Sequence, residues 1–504
     1  MTAPQNNDVF LEIARLGARN DVLVEFDEKT QFPRLRRLYR SYTRVDLAHA
    51  VMLVETGILS RERGAKLLAG LRTIHAMSVD EFPWLDNSNS FLVHVEHWLG
   101  QEVGEDIAGF LQTGRSRNDQ DAAAERLFQR DLILNLAEPL LGLVSSIIGQ
   151  AESHADTLMP GYTHLQHAQP WTFGHYLLRH ASILARDLQR LRDVYPRVNL
   201  SALGGAANAG TSWPIDRRRT AALLGHGGIV VNSCDAGEFA RDHIEEVTAA
   251  LAILAANLGR FATDLYLWSS FEFGYVEVAD GLAGTSSIMP QKKNPHALER
   301  VKSVGGQAAG WLATVMACQR PAFSTDLDFT FADDVFGRFA EVTYGSIRLM
   351  DEVVRTISVH KERMAANSDA YWSTTSHLAD ELVRQHDISF RSAHNIVAVF
   401  VRQALEQAQT PHTVEARLLA SAGREVAGVE ITLDDAALRR ILDGRNFIET
   451  RVSEGSVSPA EVRRHVATLR NEVAAQQAAF AEWRASADNA IAALLSRAGE
   501  LSPA

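Results

Sequence analysis

The feature that most constrains this chain is helical periodicity sustained over lengths that only a bundle can bury. Across residues 120–158, apolar side chains recur at spacings of three and four almost without interruption. Comparable patterns cover residues 171–198 and run from about 236 to 270, about 290 to 317 and about 332 to 365. Each is long, poor in Gly and Pro, and apolar on more than one side. Helices of that kind must bury several faces, against each other and against other subunits. Pro139 interrupts the first run and is expected to kink it or mark a start. Gly- and Pro-rich polar loops fall between the helices at 111–119, 159–170, 200–216 and 280–295. The β-branched piece 228–232 fits a small ribbon, and no βαβ alternation is present. The stretch 456–490 reads as an amphipathic tail helix opened by Ser458 and Pro459. The expected fold is all-α, with an N-terminal helical domain (1–110), a central long-helix bundle (111–365) and a C-terminal helical domain with the tail helix (366–504).

Composition narrows the function. Lys and Arg number 50 against 62 Asp and Glu, a net charge of −12, whereas a protein that coats phosphates is normally basic. Two cysteines, Cys234 and Cys318, exclude a disulfide scaffold and a Cys-based zinc module, and they fit a reducing compartment. The N-terminal segment has no basic region followed by an apolar one, and no stretch of about 18 apolar residues is read as free of charge. A cytoplasmic protein without nucleic-acid or membrane partners is expected.

Three polar strings carry the chemistry. Gly284–Glu299, GTSSIMPQKKNPHALE, sets two hydroxyls (Ser286, Ser287), two ammonium groups (Lys292, Lys293) and an amide (Asn294) just before a helix opened by Pro295. A cationic loop at a helix N-terminus suits carboxylates. Thr113–Gln120, TGRSRNDQ, offers Arg115, Ser116, Arg117 and Asn118 ahead of a long helix; guanidinium forks match carboxylates, and Ser116, Asn118 or Asp119 can also cap that helix. Met159–Pro170, MPGYTHLQHAQP, puts Thr163 and His164 in a turn between two long helices, where a general acid or base fits. Glu299 suits His164 as a partner that fixes its tautomer, and His167 is the weaker candidate. Three separated anion-binding loops point to a substrate with more than one carboxylate.

In these strings the sequence resembles the fumarase/aspartase superfamily. The 284–299 string is similar to its signature loop, and the 113–120 and 159–170 strings are similar to the argininosuccinate lyase branch. Weaker similarity runs through 48–60, 203–217, 264–280, 389–397 and 455–462. The resemblance implies three all-helical domains, a homotetramer whose active sites are each shared by three subunits, and β-elimination from a succinyl group that releases fumarate without metal or organic cofactor. Residue by residue it implies Ser286 as catalytic base, His164 as general acid with Glu299 as partner, Lys292 and Asn294 as stabilisers of the dianionic intermediate, and Ser116, Arg117, Asn118, Thr163 and Ser287 as substrate contacts.

Two departures stand out. Argininosuccinate lyases carry a YNKDLQED-like string after the signature helix, whose Tyr, Gln and Lys hold the arginine end. Here the region reads RPAFSTDLDFTFADD (320–334), with none of the three; Phe323 and Ser324 stand there instead, and Asp326 and Asp328 could receive a cationic amine. The EDIH-like string ahead of the 113–120 motif is replaced by NSNSFLVHVE (87–96). The fumarate end is intact and the amine end rebuilt. The expectation is a lyase of an N-substituted aspartate with altered amine specificity, the alternative being argininosuccinate lyase itself.

Overall fold

The computed structural model describes residues 20–86, 88–239, 241–319, 328–368 and 370–502. Its spine is five long helices: α4 (Arg117–Ser153), α5 (Phe173–Val198), α6 (Asp242–Trp268), α7 (His296–Cys318) and α8 (Asp328–Thr356). Before them come α1 (Phe32–Glu55), α2 (Arg61–Ala76) and α3 (Phe91–Val103); after them α9 (Thr375–His386), α10 (Phe390–Glu406), α11 (Ala416–Ala427) and the tail helix α12 (Pro459–Leu501). Pro139 lies inside an unbroken α4.

Cross-links fix the helix directions. Tyr176 donates to Asp264 at 3.1 Å, Asn257 to Asp187 at 2.8 Å and Arg197 to Glu246 at 2.8 Å, so α5 and α6 run antiparallel. Ser146 donates to Asp351 at 2.6 Å, where α4 and α8 run side by side. A Cβ on Gly305 of α7 would lie 2.8 Å from the Ala255 carbonyl oxygen of α6, so these two helices touch backbone to backbone. At the lower end a buried quartet ties α1, α4, α6 and α8. Arg34 and Arg241 each bond both Glu125 and Asp333, with Arg34–Asp333 at 3.1 Å and Arg241–Asp333 at 3.0 Å. Within α4, 18 residues reach a mean hydropathy of 1.7 with little charge, more apolar than the sequence reading allowed. That window is 56% buried, and α4 packs against α5, α8 and α12 as a bundle core helix does.

The 159–170 stretch is not a loop but an antiparallel ribbon, β1 (Leu158–Thr163) with β2 (Gln166–Thr172), in which Leu158–Gly161 are buried and a Cβ on Gly161 would lie 2.1 Å from the Gln169 carbonyl oxygen, so only glycine lets the strands close there. Apart from Pro196, the exposed positions of α5 are polar, among them Arg186, Gln189, Arg192 and Asp193. Its apolar face is covered by α4, α6 and the returning α12. α7 presents an uncovered face of mostly small residues, where Gly306, Ala309, Gly310, Ala313, Met316 and Ala317 are exposed. Residues 228–229 do form a small ribbon, parallel to 200–201. The tail helix packs on the bundle and on the N-terminal helices, while Trp372–Leu442 form a core of their own.

Buried imidazoles predict acid lability. Burial pushes His94 and His180 down to about 4, and His49, His226 and His243 well below the usual imidazole range. The fold holds them neutral, whereas the unfolded chain takes up protons below about pH 6.5. Stability present above that pH is therefore lost as pH falls, by roughly 1 kcal/mol per histidine between about pH 6.5 and 5.5. Urea midpoints at those two values should separate clearly; coincident midpoints would contradict this.

Candidate active site

The 284–295 string forms a short hairpin, Gly284–Thr285 paired with Lys293–Asn294, that feeds directly into α7. Its base is tight: any Cβ on Gly284 would meet the His296 ring at 2.0 Å. At its tip the half-buried Ser286 Oγ accepts the Met289 amide at 3.0 Å and the Ile288 amide at 3.4 Å. Donors aimed at this oxygen favour its alkoxide. The adjacent lysines differ. Lys293 Nζ lies 2.8 Å from Glu277 and 2.6 Å from Asp280 and pins the hairpin to the preceding segment. Lys292 is exposed, and its ammonium makes no hydrogen bond or ion pair among the described residues. Ser287 is exposed beside Ser286, and Asn294 sits half-buried in the hairpin's second strand. A cleft of about 830 Å³ opens beside the hairpin, lined by Phe271, Glu277, Gln291, Lys292, Lys293 and His360 among others.

Thr163 and His164 sit at the exposed tip of the β1–β2 ribbon. The two-residue turn His164–Leu165 has φ of +53° and +59°, the left-handed pair such hairpins require and usually fill with Asn-Gly. Non-glycine residues there cost roughly 1–3 kcal/mol each, a strain found most often at functional sites. His167 packs between Tyr162 and Tyr371, with 5.2 Å between ring centroids in each case, which reads as structural.

The third string splits into outward and inward residues. Ser116 caps α4 in a reciprocal box with Asp119: Ser116 Oγ accepts the Asn118 amide at 3.3 Å, and the Ser116 amide donates to Asp119 at 2.8 Å. Arg117 is exposed and Asn118 half-exposed, so both face outward from the helix N-terminus. Arg115 instead turns inward, its guanidinium 2.6 Å from Asp46 with both side chains buried. Asp119 also accepts the Gly204 and Ala206 amides at 2.7 and 3.0 Å, joining the motif to the 203–210 loop; burial pushes its carboxyl up to about 6. Sequence reasoning gave Asp119 only a capping role. The Ser-x-x-Asp spacing is the signal that points to the box, while nothing local points to Gly204 or Ala206.

Within one chain these parts do not converge. Ser116–Asn118 open α4, and the ribbon follows its far end, so its 37 residues hold them about 55 Å apart. The 284–295 hairpin lies at the ribbon's end of the bundle, since Tyr162 of the ribbon bonds Tyr275 at 2.7 Å. Even so, no hydrogen bond or ion pair among the described residues joins His164 to Glu299. Glu299 lies instead 4.0 Å from His296, one turn away on α7. Phe323, Ser324 and Asp326 fall outside the described residues, as does the side chain of Asp328.

The sequence matches a lyase family model over residues 28–310 and an argininosuccinate lyase C-terminal model over 372–449. It is 37% identical over 464 residues to the argininosuccinate lyase of Methanosarcina acetivorans, covering 91% of this chain and 92% of that one. To the argininosuccinate lyase of Methanocaldococcus jannaschii it is 36% identical over 429 residues, covering 85% and 87%. Among solved structures, EDDS lyase in complex with formate superimposes with a TM-score of 0.84 at 34% identity, covering 96% of both chains. The class II fumarase of Schistosoma mansoni shares the fold at a TM-score of 0.69 and 17% identity, covering 86% and 93%. The chain therefore belongs to the fumarase/aspartase superfamily of lyases, in its argininosuccinate lyase-like branch, and is a carbon–nitrogen lyase that releases fumarate.

Proposed function

We propose that the chain cleaves an N-substituted aspartate by β-elimination, in a site assembled from several copies of itself. The observation that carries this reading is the separation of the two ends of α4: a carboxylate-binding helix N-terminus at one end, a strained histidine turn and a serine hairpin at the other. Ser286, as base, takes a Cβ proton. The electron pair delocalises into the neighbouring carboxylate, and Lys292 and Asn294 balance the charge that develops. As that pair returns to form the double bond of fumarate the Cα–N bond breaks, and His164, with Glu299 as its partner, gives a proton to the leaving nitrogen. Ser116, Arg117, Asn118, Thr163 and Ser287 hold the substrate carboxylates. None of these steps calls for a metal or organic cofactor, and the expected setting is the cytoplasm. The uncovered small-residue face of α7 supports assembly, since Gly306 and Gly310 have open space where a Cβ would stand. A homotetramer is expected in solution, and a folded 55.5 kDa monomer by light scattering would overturn it.

The amine is proposed to differ from that of argininosuccinate, on the sequence of 320–334. A panel of N-substituted aspartates assayed for fumarate tests this: release from at least one, with argininosuccinate far behind, is expected. Argininosuccinate lyase itself is the second reading, favoured by the names of the relatives at 34–37% identity.

A further inference from the structure

The 113–120 motif carries two arginines, and only Arg117 faces out. Around Arg115 the helix α1 makes a set of ties that bracket the outward residues. Arg115 Nη1 donates to Asp46 Oδ1 at 2.6 Å, and the same oxygen accepts Gln120 Nε2 at 2.7 Å. Arg115 precedes the cap Ser116, and Gln120 stands a turn beyond it, so one carboxylate oxygen grips the chain on both sides of Ser116–Asn118. Three residues along α1, His49 Nε2 donates to the Thr113 carbonyl at 2.9 Å. Burial and the Arg115 cation hold that imidazole neutral. The half-buried carboxyl of Glu96 on α3 also lies in the field of Arg115 and Asp46.

This is a poor device for stability. Arg115 Nη2, Asp46 Oδ2 and Gln120 Oε1 are buried without a protein partner, and well-packed apolar residues commonly match or exceed a buried pair of this kind. It is a good device for position, because α1 is a 24-residue helix set in the N-terminal core. We infer that Asp46 and Arg115 are positioning residues that hold the Ser116–Asn118 turn where its donors meet a substrate carboxylate. The inference rests on the reading of that turn given under Proposed function.

Fumarate binding, measured by calorimetry on the assembled protein, is the test. Arg117→Lys, which loses the planar fork, should weaken binding. Asp46→Asn keeps an oxygen for both tethers but removes the charge, and should weaken fumarate roughly tenfold through misplacement, with assembly unchanged. The double variant should fall well short of the product of the two losses, since both act through the same contact. If Asp46→Asn fails to assemble, Gln120→Leu cuts one tether without unpairing a charge and should weaken fumarate in the same direction. Fully multiplicative losses overturn the inference. So does Asp46→Asn, or Gln120→Leu in its place, within about twofold of the parent while Arg117→Lys is impaired. An unimpaired Arg117→Lys instead overturns the reading of the turn itself, and the inference with it.

Discussion

Replacing Ser286 with alanine should lower kcat by about 10² to 10⁴ or more, the usual worth of a positioned base, and leave the assembly intact. A serine hydroxyl is a weak base at its free pKa and needs its alkoxide stabilised. The hairpin supplies that stabilisation locally: the Met289 amide at 3.0 Å and the Ile288 amide at 3.4 Å both point at Oγ, and Lys292 stands nearby with no competing carboxylate among the described residues. Ser286 lies outside the hydrophobic cores, so alanine opens no cavity there. Retention of more than about a tenth of kcat, a barrier rise under roughly 1.4 kcal/mol, would remove Ser286 from the role of base.

Argininosuccinate should be a poor substrate, with kcat/KM depressed by up to about 10⁴–10⁵ in the manner of sites that lack the hydrogen-bonding partners of a polar substrate group. The reacting carbons are common to all N-substituted aspartates, so the Ser286 hairpin cannot discriminate among amines. Discrimination falls to groups near the leaving nitrogen. The Tyr, Gln and Lys that the family resemblance implies for the amine end are missing from 320–334, where Phe323, Ser324, Asp326 and Asp328 stand instead. Phe323 favours a less polar contact, and the two carboxylates a smaller or more basic amine. Binding energy at the remote end also supports the chemical step, so kcat should fall with affinity. A kcat/KM near 10⁴ M⁻¹s⁻¹ or above, an ordinary enzyme value, would show that argininosuccinate is accepted and that the replaced segment does not set specificity.

The long helices were legible in the sequence because a 3.6-residue apolar period sustained over many turns has few other solutions. The 159–170 ribbon was not: twelve residues with Pro160, Gly161 and Pro170 among them carry loop composition, and the strand pairing overrides it. A cap at the start of α4 was legible, with Ser116, Asn118 and Asp119 all open for it; the structure puts Ser116 there, in a box with Asp119. The inward turn of Arg115 was not, because its partner Asp46 lies 69 residues away and outward and inward arginines look alike in a string. The division of labour between Lys292 and Lys293 likewise depends on Glu277 and Asp280, which no local pattern links to the hairpin.

On the proposed function, the two ends of α4 work in one site only when contributed by different copies of the chain. Subunit mixing tests it directly. Ser286→Ala and Arg117→Ala proteins, each inactive alone, are co-refolded in equal amounts, and fumarate release is measured from an N-substituted aspartate the parent accepts. Random reassembly of a symmetric oligomer should restore roughly a quarter of the parent sites, because some sites draw Ser286 from one variant and Arg117 from the other. Activity that stays at the level of the two parents after mixing, with mixed oligomers demonstrably formed, would contradict the shared site.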